Sequence, residues 1–300
     1  MAEVTAQLVK QLREKTGAGM MECKSALVEA KGDLVEAEVV LRKRGLASAA
    51  KKASRSTKQG LIGVQIAADG KVGALIEVNC ESDFVARTEE FQEMVANLGK
   101  QIVAGTPASV DALKAAAYCA DTTLTVEALL KSKIAKVGEN MNIARFARIA
   151  AKGVVGAYVH PGSQLAVLVD LTCENAATAG TEGFKELLHD IAMQVAAADP
   201  RFVRREEVTD EFLAKEREIQ RARALAEGKP EKIVDKVVEG RMSKYYEEVC
   251  LLDQPFIKDN SLSITQHIAA KAKDLGDKLD VASFVRFKVG ETVSAEEPAA

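Results

Sequence analysis

The sequence has no tryptophan, few aromatics of any kind (4%), three histidines and five cysteines in 300 residues. Each scarcity excludes something. Cys23, Cys80, Cys119, Cys173 and Cys250 are odd in number, widely spaced and never form a CxxC pair. That argues against a disulfide framework or a structural zinc site and reads as a set of buried thiols. His160, His189 and His267 stand far apart, none in HExxH or beside a cysteine pair, so no metal centre is expected. No GxxxxGK[ST] loop is present to cradle phosphates. The segment TGAGMMECK at 16–24 lacks both that spacing and a preceding strand, so the chain is not expected to bind nucleotide itself. No GxSxG elbow occurs, and nothing brings together a nucleophile, a base and an orienting partner. The pattern supports neither covalent catalysis nor a cofactor.

Long apolar runs are missing too. Nowhere do about eighteen apolar residues follow one another, and the opening MAEVTAQLVKQLREKTG lacks the basic region and apolar core of a signal peptide. A cytoplasmic chain with no membrane partner is expected. The formal net charge of −3, with signs interspersed, creates no overall field that would draw in nucleic acid or an anionic surface.

What is present is small apolar side chain. The hydrophobic fraction of 47% is dominated by Ala, Val and Leu, a mixture that favours closely packed helices. From Val4 to Gly45 three amphipathic runs (Leu8, Val9 and Leu12; Met20, Met21, Ala26 and Leu27; Leu34, Val35, Val39 and Leu41) predict a three-helix module. Thr5 is placed to cap the first helix, turns fall at 17–19 and 32–33, and Gly45 is placed to stop the third helix. Lys51, Lys52, Arg55 and Lys58 then form a short basic linker.

LIGVQIAADGKVGALIEVNC reads as a β-hairpin turning at Asp69-Gly70, followed by a helix from about Glu89 to Ala104. This unit recurs: Gly60–Pro107 aligns without gaps to Gly153–Pro200 at an offset of 93, matching Gly63 to Gly156, Cys80 to Cys173, Phe91 to Phe184 and Gln101 to Gln194. Between the copies, 126–150 reads as a helix and then a strand, with a turn at Gly138-Glu139-Asn140. Beyond them, 209–227 and 231–249 predict an antiparallel helical hairpin about the turn Gly228–Pro230, an arm that should protrude toward a partner. VASFVRFKVGE from Val281 reads as a closing strand, and SAEEPAA as a disordered tail. The fold class is therefore α+β. Its divisions are 1–55 for the helical module and linker, 56–152 and 153–200 for the two repeats, 201–250 for the hairpin, 251–290 for the rest of the core and 291–300 for the tail.

The repeats differ at one place. The first has Asp83-Phe84-Val85-Ala86-Arg87 where the second has Ala176-Ala177-Thr178-Ala179-Gly180. Phe84 could fill local core, but the second copy is built with Ala177 there. An aromatic that the fold can omit, between a strand end and a helix start, is a candidate interface anchor.

Three segments carry a family likeness: LREKTGAGMMECKSALVEAKGD at 12–33, EVNCESDFVAR at 77–87 and KVGENMNIAR at 136–145. It continues through VEGRMSKYYEEVCLLDQPFIKD and FVRFKVGE. The chain resembles the bacterial elongation factor Ts family, nucleotide-exchange factors of the translational GTPase elongation factor Tu. The resemblance implies a ubiquitin-associated-like N-terminal module that docks on the GTPase through Leu12, Met20, Met21 and Lys24. It further implies an Asp83-Phe84 pair, with Val85 beside it, inserting near the GTPase's magnesium site, and His160 facing the same partner from the second repeat. Other members often have Gln-Thr where this sequence has Glu81-Ser82, and Arg87 can be Lys, but the Asp-Phe pair is intact. The core and the hairpin are further surfaces through which copies could self-associate.

Two rival functions remain at this level, an adaptor that only binds and an RNA-binding protein that uses the basic linker. Labelled GDP release from elongation factor Tu separates them. Exchange predicts faster release when the chain is added, and an adaptor leaves release unchanged. An RNA binder shows salt-dependent affinity for RNA, lost when Lys51, Lys52, Arg55 and Lys58 are neutralised.

Overall fold

The structure, a computed structural model, describes residues 4–291 and is of the α+β class; the predicted tail from 292 lies outside the described residues. It begins with α1 (Ala6–Thr16), α2 (Met20–Glu29) and α3 (Leu34–Lys52). Then come β1 (Gln59–Ile66), β2 (Val72–Cys80), the single turn α4 (Asp83–Ala86), α5 (Glu89–Gly105), α6 (Val110–Ala115), β3 (Ala117–Tyr118), β4 (Asp121–Thr125), α7 (Val126–Val137) and β5 (Met141–Ala150). The remainder runs β6 (Val154–Val159), β7 (Leu165–Cys173), α8 (Glu182–Ala198), α9 (Asp210–Ala226), α10 (Glu231–Val249), β8 (Pro255–Phe256), β9 (Asp259–Ser263), α11 (Ile264–Leu275) and β10 (Leu279–Lys288). Two compact units result. One takes in the chain up to Gln65, Ile76–Phe146 and the chain from Lys288; the other takes in Ile66–Leu75 and Ala147–Phe287.

The first three helices form for local reasons. The Thr5 hydroxyl accepts from the Leu8 amide, and Gly17, at φ 66°, ends α1 in the left-handed conformation. Asp33 accepts from the amides of Val35 and Glu36 to start α3. Val9, Leu12, Cys23, Ala26, Leu27, Ala37 and Val40 close a small core among them. The expected stop at Gly45 is where the structure differs. α3 continues to Lys52, because Gly45 faces α7 at a distance where an added Cβ would lie 3.2 Å from the Ala135 Cβ. The missing side chain serves close helix packing rather than termination, and Lys51 and Lys52 are helical rather than linker.

The repeat read in the sequence is the front part of a longer duplication. The series β1, β2, α5, β3, β4, α7, β5 recurs as β6, β7, α8, β8, β9, α11, β10, and the sheets have matching orders, β1-β2-β5 and β6-β7-β10. The offset between copies is 93 residues as far as α8 and 138 from β8 onward, so the second copy carries a 45-residue insertion that contains α9 and α10. The glutamine repeated in both copies shows how each helix grips its short hairpin. Gln101 donates to the Ala117 carbonyl (2.9 Å) and accepts from the Cys119 amide (3.1 Å). Gln194 does the same with Pro255 (3.2 Å) and Ile257 (2.9 Å). The inserted hairpin closes on its own apolar residues, Ala224, Val234, Val238 and Met242, with Arg221–Asp235 and Arg241–Glu227 ion pairs across it.

The paired glycines Gly63 and Gly156 let each long helix lie directly on its sheet. An added Cβ at Gly63 would lie 2.5 Å from Val95 Cγ1 of α5, and at Gly156 closer still to Leu188 of α8. Overpacking of this kind costs about 1–3 kcal/mol. Gly63→Ala and Gly156→Ala should each lower the urea-unfolding free energy by roughly that amount. Gly180→Ala, where an added Cβ meets nothing within 4 Å, should leave it nearly unchanged.

Candidate functional site

β2 ends at Cys80 and α5 begins at Glu89, and the chain between them makes one helical turn whose outer side chain is Phe84. Phe84 is 81% exposed, more than any other large apolar side chain among the described residues. Val85 and Ala86 turn inward and are buried, so Val85 supports the tip from beneath. Asp83, at the start of the turn, pairs with Arg87 across it at 2.9 Å.

The turn is built by its flanks. The Ser82 hydroxyl accepts from the Val85 amide (3.5 Å) and donates to a Glu139 carboxylate oxygen (2.7 Å), while the Ser82 amide donates to the other oxygen (3.0 Å). The Ser82 carbonyl accepts from the Cys80 thiol (3.1 Å). Glu81 accepts from the Asn140 amide (2.6 Å) and from Arg55 (3.4 Å), and the Asn140 side chain donates to the carbonyl of Arg55 (2.8 Å). At the far side, Thr88 caps α5 through the Phe91 amide. Burial, reinforced by the Glu139 charge, pushes the Cys80 thiol up to about 11.

The second copy shows the same loop without the aromatic. There Thr178–Gly180 forms a short 3-10 turn, Ala177 is exposed, and Asp277 accepts from the amides of Glu174 (3.2 Å) and Asn175 (3.1 Å). The fold is satisfied with a methyl group where the first copy exposes a phenyl ring.

A second exposed apolar face lies on the N-terminal helices in the same unit. Met20 and Met21 are 58% and 74% exposed at the start of α2, and Lys24 is exposed one turn on. Leu12, by contrast, is fully buried in the module's interior, so any contribution it makes to that face is from behind. Val28 and Val35 are also exposed and were not anticipated; the i, i+3, i+7 spacing of Met21, Lys24 and Val28 was the available signal. Gly17, in the turn before Met20, abuts the Lys136 side chain. Lys136 and Lys133 both pair with Glu90 in the first turn of α5, and these bonds hold the Glu90 carboxyl below the usual range. The turn before Met20 and the start of the helix after Phe84 are thereby joined.

His160 belongs to the other unit, exposed in the turn after β6, with Nδ1 3.1 Å from the Tyr158 hydroxyl. Glu139, Asn140 and Arg55 belong to the tip although the sequence marks the first two only as a turn and Arg55 only as part of a basic linker. The expectation of five buried thiols is corrected, because Cys119 is exposed and Cys173 half-buried. Among the described residues no group of three or more His, Cys, Asp or Glu is placed to hold a metal ion, and no helix is long and apolar enough to cross a membrane.

Residues 81–291, from the clasp around the tip to the turn after β10, match the family model described as Elongation factor TS. The chain belongs to the elongation factor Ts family. It is 46% identical over 295 residues to Elongation factor Ts of Clostridium kluyveri, covering 98% of this chain and 95% of that protein. It is 44% identical over 298 residues to Elongation factor Ts of Nitratidesulfovibrio vulgaris, covering 99% of each. It is 41% identical over 295 residues to that of Trichlorobacter lovleyi, covering 98% of this chain and 95% of that protein. Membership of the elongation factor Ts family makes the chain a translation elongation factor.

The packing around the tip predicts an order of thiol reactivity. Thiolate is the reactive form, and burial pushes both Cys80 and Cys250 up to about 11. In native protein an alkylating reagent should therefore modify Cys119 first and leave Cys80 and Cys250 unmodified, as read by peptide mass spectrometry. Labelling of Cys80 as fast as Cys119 would contradict the packing described beneath the tip.

Proposed function

We propose that this chain promotes GDP release from elongation factor Tu by docking near the GTPase's magnesium and phosphate site, and that it does so without covalent chemistry. The observation that carries the reading is Phe84: fully displayed, on a turn fixed at both ends, at a place where the duplicate unit needs only Ala177. Exposing a phenyl ring to water is unfavourable, and in this reading elongation factor Tu is the partner that covers it.

A GTPase holds GDP through backbone amides around the phosphates and a bridging magnesium ion. A factor that binds the empty GTPase better than the loaded one weakens nucleotide binding by the same ratio, through thermodynamic reciprocity. Exchange then requires only differential contacts. In this reading Phe84 wedges between elements near the magnesium site and Asp83 perturbs the surroundings of the metal. Met20, Met21 and Lys24 anchor the N-terminal module on the same partner, with Leu12 and Val85 as buried supports. His160 makes a further contact from the second unit.

The test is Phe84→Ala. An interface anchor of ordinary hot-spot strength contributes about 2–4 kcal/mol, which corresponds to roughly 30- to 1000-fold slower stimulated release of fluorescent GDP. The thermal midpoint should stay within about 2 °C, since the residue buries little of itself. Asp83→Ala should cost less. A large fall in the midpoint, with exchange lost only in proportion to unfolded protein, would make Phe84 a structural residue and sink the proposal.

A further inference from the structure

We infer that Glu139 is a positioning residue, which holds the Phe84 turn in its docking geometry before any partner arrives. The inference rests on the exchange reading above for its functional consequence, but the geometry stands apart from it. A four-residue helix cannot sustain itself, because nucleating one turn fixes several dihedrals for a single hydrogen bond. Something else must order α4. The Glu139 carboxylate spans both the amide and the hydroxyl of Ser82, at 3.0 and 2.7 Å, and bonds to a charged acceptor are the stronger kind. With the thiol of Cys80 on its carbonyl and the Val85 amide on its hydroxyl, every polar group of Ser82 is used.

The grip comes from outside the turn. Gly138, at φ 84°, ends α7 in the left-handed conformation and is followed directly by Glu139 and Asn140. Those two residues pair with Ser82 and Glu81 respectively, residue for residue across the junction. Asn140 extends the strap to the Arg55 carbonyl. Asp277, at the same 138-residue offset, takes the amides of Glu174 and Asn175, the counterparts of Glu81 and Ser82. The device is thus part of the duplicated fold, and the first copy uses it to aim an aromatic. A ring presented already ordered does not have to lose that freedom on docking, which is the physical content of preorganisation.

The chain contains no tryptophan, so Phe84→Trp installs a single reporter at the tip. In the full chain without partner, its fluorescence anisotropy decay should lack a fast local component. Adding Glu139→Ala should introduce one, and Glu139→Gln, which keeps an acceptor for the Ser82 amide, should largely suppress it. If Glu139→Ala does not fold, Ser82→Ala removes the hydroxyl arm alone and should loosen the tip in the same sense. In stimulated GDP release, Glu139→Ala should slow exchange about tenfold when Phe84 is present and less than about twofold in the Phe84→Ala background, because both act through one contact. Unchanged tip mobility, or equal slowing in both backgrounds, would overturn the inference. A mobile tip with undiminished exchange would leave Glu139's hold on the turn standing and count against Phe84 as the exchange residue.

Discussion

One carboxylate with no access to water organises the unit that carries the tip. Glu77, on β2, is fully buried, and a buried charge has to be paired to persist. Arg145 of β5 supplies the countercharge at 2.7 Å, the Gly290 amide donates at 2.8 Å and Asn79 at 3.1 Å. Arg145 also reaches the Lys288 carbonyl and the Glu291 carboxylate, each at 3.1 Å. Strands from the middle of the chain and the turn after its last strand are tied at one point, close to where β2 hands over to the Phe84 turn. Removing the Arg145 side chain should cost up to about 3–5 kcal/mol, since Glu77, unlike the partly exposed Arg145, has no access to water. The pairing joins β2, which leads into the Phe84 turn, to β5, which follows Glu139 and Asn140.

Duplication explains how the fold could spare a surface for docking. Both copies meet the same demands: a helix laid on a sheet through a glycine, a glutamine holding a short hairpin, and a carboxylate tying the loop between strand and helix. Once these are met, the residue at the outer point of the loop is unconstrained by packing. The second copy leaves it as Ala177, and the first displays Phe84. The second copy instead accommodates the helical hairpin, between its long helix and its short β-hairpin.

Much of this was legible in the sequence where the signal is local. Thr5, Gly17 and Asp33 mark helix ends by chemistry that acts within a few residues, and the α9–α10 hairpin follows from its charge pattern and the Gly228–Pro230 turn. The repeat was visible only to Pro107 at the offset of 93, because the insertion shifts the register to 138; the later identities, such as Gly138 with Gly276, Phe146 with Phe284 and Arg148 with Arg286, align only once that shift is made. Gly45 misled because a glycine at a helix end and a glycine at a helix crossing look alike until Ala135 is brought opposite. Phe84 stood out by comparison of the copies, whereas Leu12 and Val85, named with the docking residues, are packed inward. Glu139 was invisible as part of the tip because its contact spans 57 residues, and no pattern in one sequence reports such a pairing.

The central claim is that the Phe84 turn and the Met20–Lys24 face become covered by the GTPase. Hydrogen exchange measured on the full chain, alone and bound to nucleotide-free elongation factor Tu, addresses this directly. The account predicts that amides from Val85 to Thr88 and those at the start of α2 gain protection in the complex, while the counterpart loop at Ala177–Thr181 changes little. Exchange at Val85–Thr88 as fast in the complex as in the free chain would contradict it.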